Sequence, residues 1–194
     1  MPQLGLLFVI NESPSVMEEE LNAWYDTEHI PERLSIDGFL SASRHVSAAR
    51  RRRYLALYDL ADIGVLQSAG YMAFVGDNFT PWTKRILSRT KVTRVEAVQT
   101  YPGDATTLSA PRHLVLRLTG VSKDATPQIE EAAKHCFLNK PSVTQLRVFA
   151  GSGAYTGSVF VIVAGSGDLE TLLDPGSFRA WAKQIELIES YLRY

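Results

Sequence analysis

The chain has 194 residues, with 20 Lys+Arg against 21 Asp+Glu and a formal net charge of −1, which argues against a general nucleic-acid binder. Hydrophobic residues make up 45%, enough for a sizeable core and too many for wholesale disorder. A single Cys excludes an internal disulfide and a multi-cysteine metal cluster, and no apolar run approaches the roughly 20 residues of a membrane span.

Residues 4–10 form a short apolar run, Leu-Gly-Leu-Leu-Phe-Val-Ile, that reads as a strand buried on both faces. The run is too short for a signal peptide and lacks its basic flank, so a cytoplasmic location is expected. Ser13 and Pro14 open a helix, with Ser15 as its N-cap candidate and Glu18, Glu19 and Glu20 near its positive end. The helix is expected to stop at Ile30, because Pro31 follows. At about 100° per residue, Met17, Leu21 and Trp24 share one stripe with Tyr25 at its border, so this helix must cover a sheet. Residues 39–47 and 54–60 read as strands joined by a basic turn at 50–53, which makes an antiparallel hairpin. A helical stretch over 62–74, a short helix near Pro81 and Trp82, and a strand over 92–101 complete the order β-α-β-β-α-β.

A polar link rich in Thr, Ser and Gly covers residues 102–111, and then the order repeats. It runs through a strand at 112–119, a helix at 124–138 with Pro127 in its first turn, and strands at 143–150 and 158–164. A helical stretch at 168–182, broken at Pro175-Gly176, and a last strand at 185–194 complete it. The repeat is one of element order more than of residues, although residues 54–58 lie over 159–163 and Arg44 matches Arg147.

Two units are expected, residues 1–103 and 111–194, each a split β-α-β or ferredoxin-like arrangement with both helices on one face of its sheet. Leu4, Leu6, Phe8 and Ile10 occupy one alternation of the first strand and Leu7 and Val9 the other, so the face away from the helices also needs a cover. The two halves can supply it to each other. The expected fold is therefore α+β: two tandem ferredoxin-like βαββαβ units packed sheet to sheet as an eight-stranded α+β barrel, with helices outside and a lumen between the sheets. One chain then forms a pseudo-dimer, and both a monomer and a homodimer of barrels are compatible with it.

The segment Trp24-Tyr25-Asp26-Thr27-Glu28-His29-Ile30-Pro31 holds the candidate chemistry. Glu28 falls four residues after Trp24, inside the apolar stripe, where an ionised carboxylate needs a partner or a raised pKa. Arg33 and Arg44 are its candidate partners. His29 follows Tyr25 by four residues at the edge of the stripe. Glu28, His29 and Tyr25 can supply acid, base and hydroxyl donor without a cofactor. A structural role, in which Glu28 locks the helix onto the hairpin and His29 caps a helix end, uses the same residues. His45 alternates with Phe39, Ser41 and Ser43 and can reach the lumen, while Phe79, Pro81 and Trp82 can close a pocket mouth or pack a core. No HExxH, HxxxH, GxSxG or Walker pattern occurs, so no metal site and no bound cofactor are expected.

Trp24-Tyr25-x-x-Glu28-His29-x-Pro31, followed by Gly38-Phe39-Leu40 and the strand beginning at Tyr54, resembles the EthD family of the dimeric α+β barrel superfamily, most strongly over residues 21–60. The resemblance implies a site enclosed by ferredoxin-like units, with His29 functional and Glu28 beside it. Tyr25 joins them as a catalytic candidate, and Trp24, Arg44, His45 and Trp82 are the candidate substrate-binding residues. The superfamily includes polyketide cyclases, muconolactone-type isomerases, quinone-forming monooxygenases and haem proteins. The helix of the second half, from Glu130 to Phe137, lacks the motif, so chemistry is expected in the N-terminal half. His135 on that helix is the haem-ligand candidate that the resemblance offers.

Three functions compete. The first is a cofactor-independent enzyme that moves protons, as a cyclase, isomerase or dehydratase does, on a small carbonyl, aromatic or polyketide-like ligand. The second is a non-catalytic ligand-binding or structural barrel whose lumen is filled by side chains. The third is a haem-dependent oxidase or haem-handling protein. The cavity beside His29, and the direction in which Glu28 and His29 face, discriminate between them.

Overall fold

A computed structural model describes residues 3–194; Met1 and Pro2 of the first expected unit lie outside the described residues. Strand β1 (Gly5–Glu12) pairs antiparallel with β3 (Arg53–Leu60) on one side and β4 (Lys91–Tyr101) on the other, and β2 (Phe39–Ser47) flanks β3. The second half repeats this arrangement: β5 (Arg112–Leu118) lies between β7 (Val159–Gly165) and β8 (Ile185–Arg193), and β6 (Val143–Gly151) flanks β7. Two seams then join the halves, β2 to β8 and β4 to β6, and close an eight-stranded barrel. The expected α+β barrel is therefore realised within one chain, and closure gives each described strand a neighbour on both sides. Among the described residues no helix is long and apolar enough to cross a membrane.

The double apolar alternation of the strands now has its cause. Leu6, Phe8 and Ile10 of β1, Leu55 and Leu57 of β3, and Phe149, Phe160 and Ile162 from the other half pack together in the lumen. Phe8 and Phe160 meet edge to face at 5.2 Å across the two halves. The opposite alternation, Leu7 and Val9 with Tyr54, Ala56 and Tyr58, faces outward under the N-terminal helices. Leu114, Leu116, Val161 and Val163 do the same under α5 (Thr126–Phe137) in the second half. The middle of the lumen is thus a filled core, with cavities only toward its two ends, and the apolar layers between sheet and helix are separate from it.

One end of the lumen is polar and holds a salt bridge between the halves. Arg147 Nη1 lies 2.7 Å from Asp59 Oδ1, with both side chains 1% exposed. Asp59 Oδ2 accepts from Ser41 Oγ at 2.5 Å and from the Thr107 amide at 2.6 Å. Arg147 donates to Thr107 Oγ1 at 2.6 Å and to the Ala105 carbonyl at 3.2 Å. The pair therefore binds β3, β6 and the link between the halves at one point.

The helices depart from expectation in three places. The first helix does not stop at Ile30. It begins with a 3₁₀ turn (Ser15–Met17), continues as α1 (Glu18–Trp24), widens into a π turn (Tyr25–His29) and resumes as α2 (Ile30–Leu34). Pro31 falls in the first turn of α2, where a missing N–H costs little. The expected helix at 62–74 is a 3₁₀ turn (Ile63–Gln67) followed by the single turn α3 (Ala69–Met72), and the expected helix at 168–182 is two 3₁₀ segments. Gly38, with φ +93, turns the chain from α2 into β2, and a Cβ there would meet Val65 Cγ2 at 2.5 Å.

Removing one member of the Asp59–Arg147 pair strands the other charge in the lumen, which costs about 3–5 kcal/mol. Arg147→Met alone is therefore expected to lower the urea midpoint steeply, and Arg147→Met with Asp59→Leu to recover much of the loss. A single variant as stable as the wild type would show that the pair does not hold the halves together.

Candidate functional site

The π turn creates the site. In an α-helix, residues five apart lie about 140° from each other around the axis, but a π turn brings them nearly into line. The Ile30 amide accordingly bonds back five residues to the Tyr25 carbonyl. His29 comes to stack on Trp24, with ring centroids 4.2 Å apart and planes at 25°. Tyr25 and Tyr58 meet the imidazole edge-on at 5.4 and 6.2 Å.

Glu28 has neither of its expected partners. Its Oε1 accepts from Trp24 Nε1 at 3.2 Å, Thr80 Oγ1 at 2.6 Å and Thr83 Oγ1 at 3.0 Å. The carboxylate thus ties the motif helix to α4 (Pro81–Leu87) and fixes the Trp24 indole on which His29 stacks. Arg44 sits behind Tyr25. Its guanidinium lies 4.3 Å from the centre of that ring and donates to Asn22 and Asp26 at 2.7 and 3.3 Å.

Trp24, Tyr25 and His29 face the layer between helix and sheet, not the lumen as the barrel reading anticipated, because the motif helix packs on the outer face of the sheet. There they line a cavity of about 360 Å³ together with Leu7, Val9, Asn11, Arg33, Tyr58, Tyr71 and Arg94. This is at the low end of the roughly 300–1,000 Å³ of small-molecule sites. Four polar atoms on its lining residues are buried without a partner: Asn11 Oδ1, His29 Nδ1, Arg33 Nη1 and Tyr58 Oη. Buried polar groups are normally paired, so four unpartnered atoms around one cavity make it the candidate site. Burial first, then the Arg33 and Arg44 charges, push the His29 pKa down to about 3, which keeps the imidazole neutral. Burial raises the Tyr58 hydroxyl well above its ordinary value, so it remains a protonated donor.

The remaining sequence candidates lie elsewhere. His45 faces the lumen, where its ring is 4.2 Å from that of His113 and its Nε2 is 3.0 Å from Ser43 Oγ. With Arg44 and Arg193 it lines a second cavity of about 350 Å³ at the β2–β8 seam. Trp82 is half-buried against the N-terminal layer without lining the His29 cavity. His135 is exposed on α5, at a groove of about 660 Å³ that also touches Trp181.

Five polar or aromatic cavity residues escaped the sequence reading in this role: Asn11, Arg33, Tyr58, Tyr71 and Arg94. A polar Asn11 continuing the Leu7–Val9 alternation, and Arg33 four residues after His29, were the available signals. The π turn had none, since no residue spacing announces it.

No protein-family model and no curated protein matches the chain. Solved structures match its fold. An anthrone oxidase-like protein superposes with a TM-score of 0.66 at 12% identity, covering 100% of this chain and 92% of its own. A candidate monooxygenase from Lactobacillus acidophilus NCFM gives 0.59 at 9% identity, covering 98% and 94%. A point mutant of chlorite dismutase from Candidatus Nitrospira defluvii gives 0.57 at 10% identity, covering 97% and 90%. The likeness therefore places the chain among α+β barrel folds over its whole length.

Three histidines, His45 and His113 buried and His29 half-buried, give the stability a pH dependence. Burial, the largest cause in each, lowers His29 and His45 to about 3 and His113 to about 4, against an unfolded value near 6.5. The unfolded chain binds more protons between these values, so stability is full above about pH 6.5 and is lost as pH falls toward the folded pKa values. Urea midpoints are expected to fall over that window, and less so in His113→Gln. An identical pH slope in the variant would remove His113 from the account.

Proposed function

We propose that the chain is an EthD-like barrel enzyme that moves a proton on a small, enolisable aromatic carbonyl compound without a cofactor. The observation that carries the reading is a neutral, half-buried His29 whose Nδ1 is buried and unpartnered, lining a largely apolar cavity rimmed by aromatic rings. A neutral imidazole accepts a proton from the carbon next to a carbonyl, and the Tyr58 hydroxyl is the donor available to the enolate oxygen. Returned to a different atom, the proton gives isomerisation. Delivered to a departing hydroxyl, it gives water and dehydration. Either way the imidazole ends neutral.

Tyr25 forms a wall of the cavity and Trp24 the stacking surface that orients the imidazole. Glu28 is a positioning residue in this scheme, since its carboxylate holds Trp24 and α4. Arg44 supports Tyr25 from behind. The name of one neighbour, an anthrone oxidase-like protein, agrees with an aromatic substrate class. The haem reading rests on His135 alone. That side chain is exposed at an open groove and not enclosed as an axial ligand would be, so no step is derived through haem.

Exchange of α-protons in a panel of small aromatic ketones, with and without a carboxylate on the ring, followed by NMR in D₂O, tests the proposal. The wild type is expected to accelerate exchange for at least one ketone, and His29→Gln to lose about 10²–10⁴-fold of that rate while still binding the ketone. Binding without catalysed exchange would favour the non-catalytic barrel instead.

A further inference from the structure

We propose that the cavity beside His29 takes a ligand bearing an anionic oxygen group, an aromatic carboxylate, and that Arg33 is its anchor. The inference rests on the functional reading above for the use of the cavity and extends it to the class of substrate.

Arg33, on α2, is 3% exposed and lines the cavity. Its Nη2 donates to the Phe74 carbonyl at 3.1 Å, its guanidinium lies 5.2 Å from the centre of the Tyr71 ring, and its Nη1 is buried without a partner. Neither contact is a counter-charge: a carbonyl offers a partial charge, and an aromatic face attracts a cation weakly. The other buried or nearly buried guanidiniums differ in this respect. Arg147 has Asp59 at 2.7 Å, Arg44 has Asp26 at 3.3 Å, and Arg53 has Glu189 at 3.0 Å. Arg94, which lines the same cavity, is paired with Glu96. Among the described residues no carboxylate forms an ion pair with Arg33.

A lone buried cation is costly, and a ligand that brings the missing anion removes the cost on binding. The planar fork of a guanidinium matches a carboxylate in particular. The rest of the wall selects the body of the ligand: Trp24, Tyr25, Tyr58 and Tyr71 present ring surfaces suited to a planar aromatic.

The arrangement also couples binding to chemistry. After burial, Arg33 is the largest influence holding down the proton affinity of His29. A carboxylate paired with Arg33 cancels that influence, so the imidazole becomes a stronger base when substrate is in place. An uncharged analogue leaves it a weak one.

Calorimetric titration of the full chain with benzoate, salicylate and 1-naphthoate, each against its primary amide, tests the proposal. At least one acid is expected to bind about tenfold or more tightly than its amide. Arg33→Gln should abolish that preference, Arg33→Lys should keep part of it, and His29→Gln should leave it intact. If Arg33→Gln fails to fold, the wild-type acid-over-amide preference together with the Arg33→Lys titration carries the test. A rise in the His29 pKa on adding the acid, followed by NMR, is expected in the wild type. Equal binding of acids and amides, no binding of any acid at millimolar concentration, or an acid preference that survives Arg33→Gln would overturn the anchor. An acid preference that depends on Arg33, with no catalysed proton exchange, would keep the anchor and discard the enzymatic reading.

Discussion

The barrel depends on two charges that meet where water does not reach. Arg147 belongs to the C-terminal half and Asp59 to the N-terminal half, and their contact lies at one end of the lumen. Each would be unacceptable there alone. Together, with the hydroxyl of Ser41 and the backbone and hydroxyl of Thr107, they join the strand walls to the link between the halves. Apolar packing drives the closure, and this network favours one alignment of the halves, since a slip of one residue in β3 or β6 would carry a charge to the opposite face of the sheet.

A filled lumen redirects function. Where two sheets face each other, the space between them is the natural place for a ligand, yet Phe8, Phe149, Phe160 and their neighbours occupy it. Space remains in the layer between the N-terminal sheet and its helices, because the helix widens there. The π turn puts Trp24 and His29 face to face, Glu28 anchors the indole to α4, and the single turn α3 leaves Tyr71 and Arg33 to complete the wall. The second half has a regular helix over its sheet and no counterpart of the motif. The halves share an architecture and differ in chemistry, as expected when function resides in sites set upon a fold.

Much of the architecture was legible in the chain. Apolar residues on both alternations of β1 and β3 required two covers, one of helices and one of strands, and the repeated element order supplied the second. The apolar stripe from Met17 to Trp24 announced an amphipathic helix, and the His29 segment stood out because a carboxylate and an imidazole interrupted that stripe. The cavity was not legible. Its members Asn11, Arg33, Tyr58 and Tyr71 come from four separate elements, and the unpartnered atoms of the first three exist only once those elements are packed. The direction in which Glu28 and His29 face was also out of reach, since an ideal helical wheel turns them by 100° per residue whereas the widened turn advances less.

The sequence by itself therefore determined the elements, their order and the need for a second sheet, because alternation and helical periodicity are local properties of the chain. Tertiary packing decided that the middle of the lumen would be solid, that Glu28 would bind Trp24 and two threonines and leave the arginines to others, and that Arg33 would be buried without a carboxylate. Those outcomes depend on which distant groups come within a few ångströms of each other, and no local pattern encodes such distances.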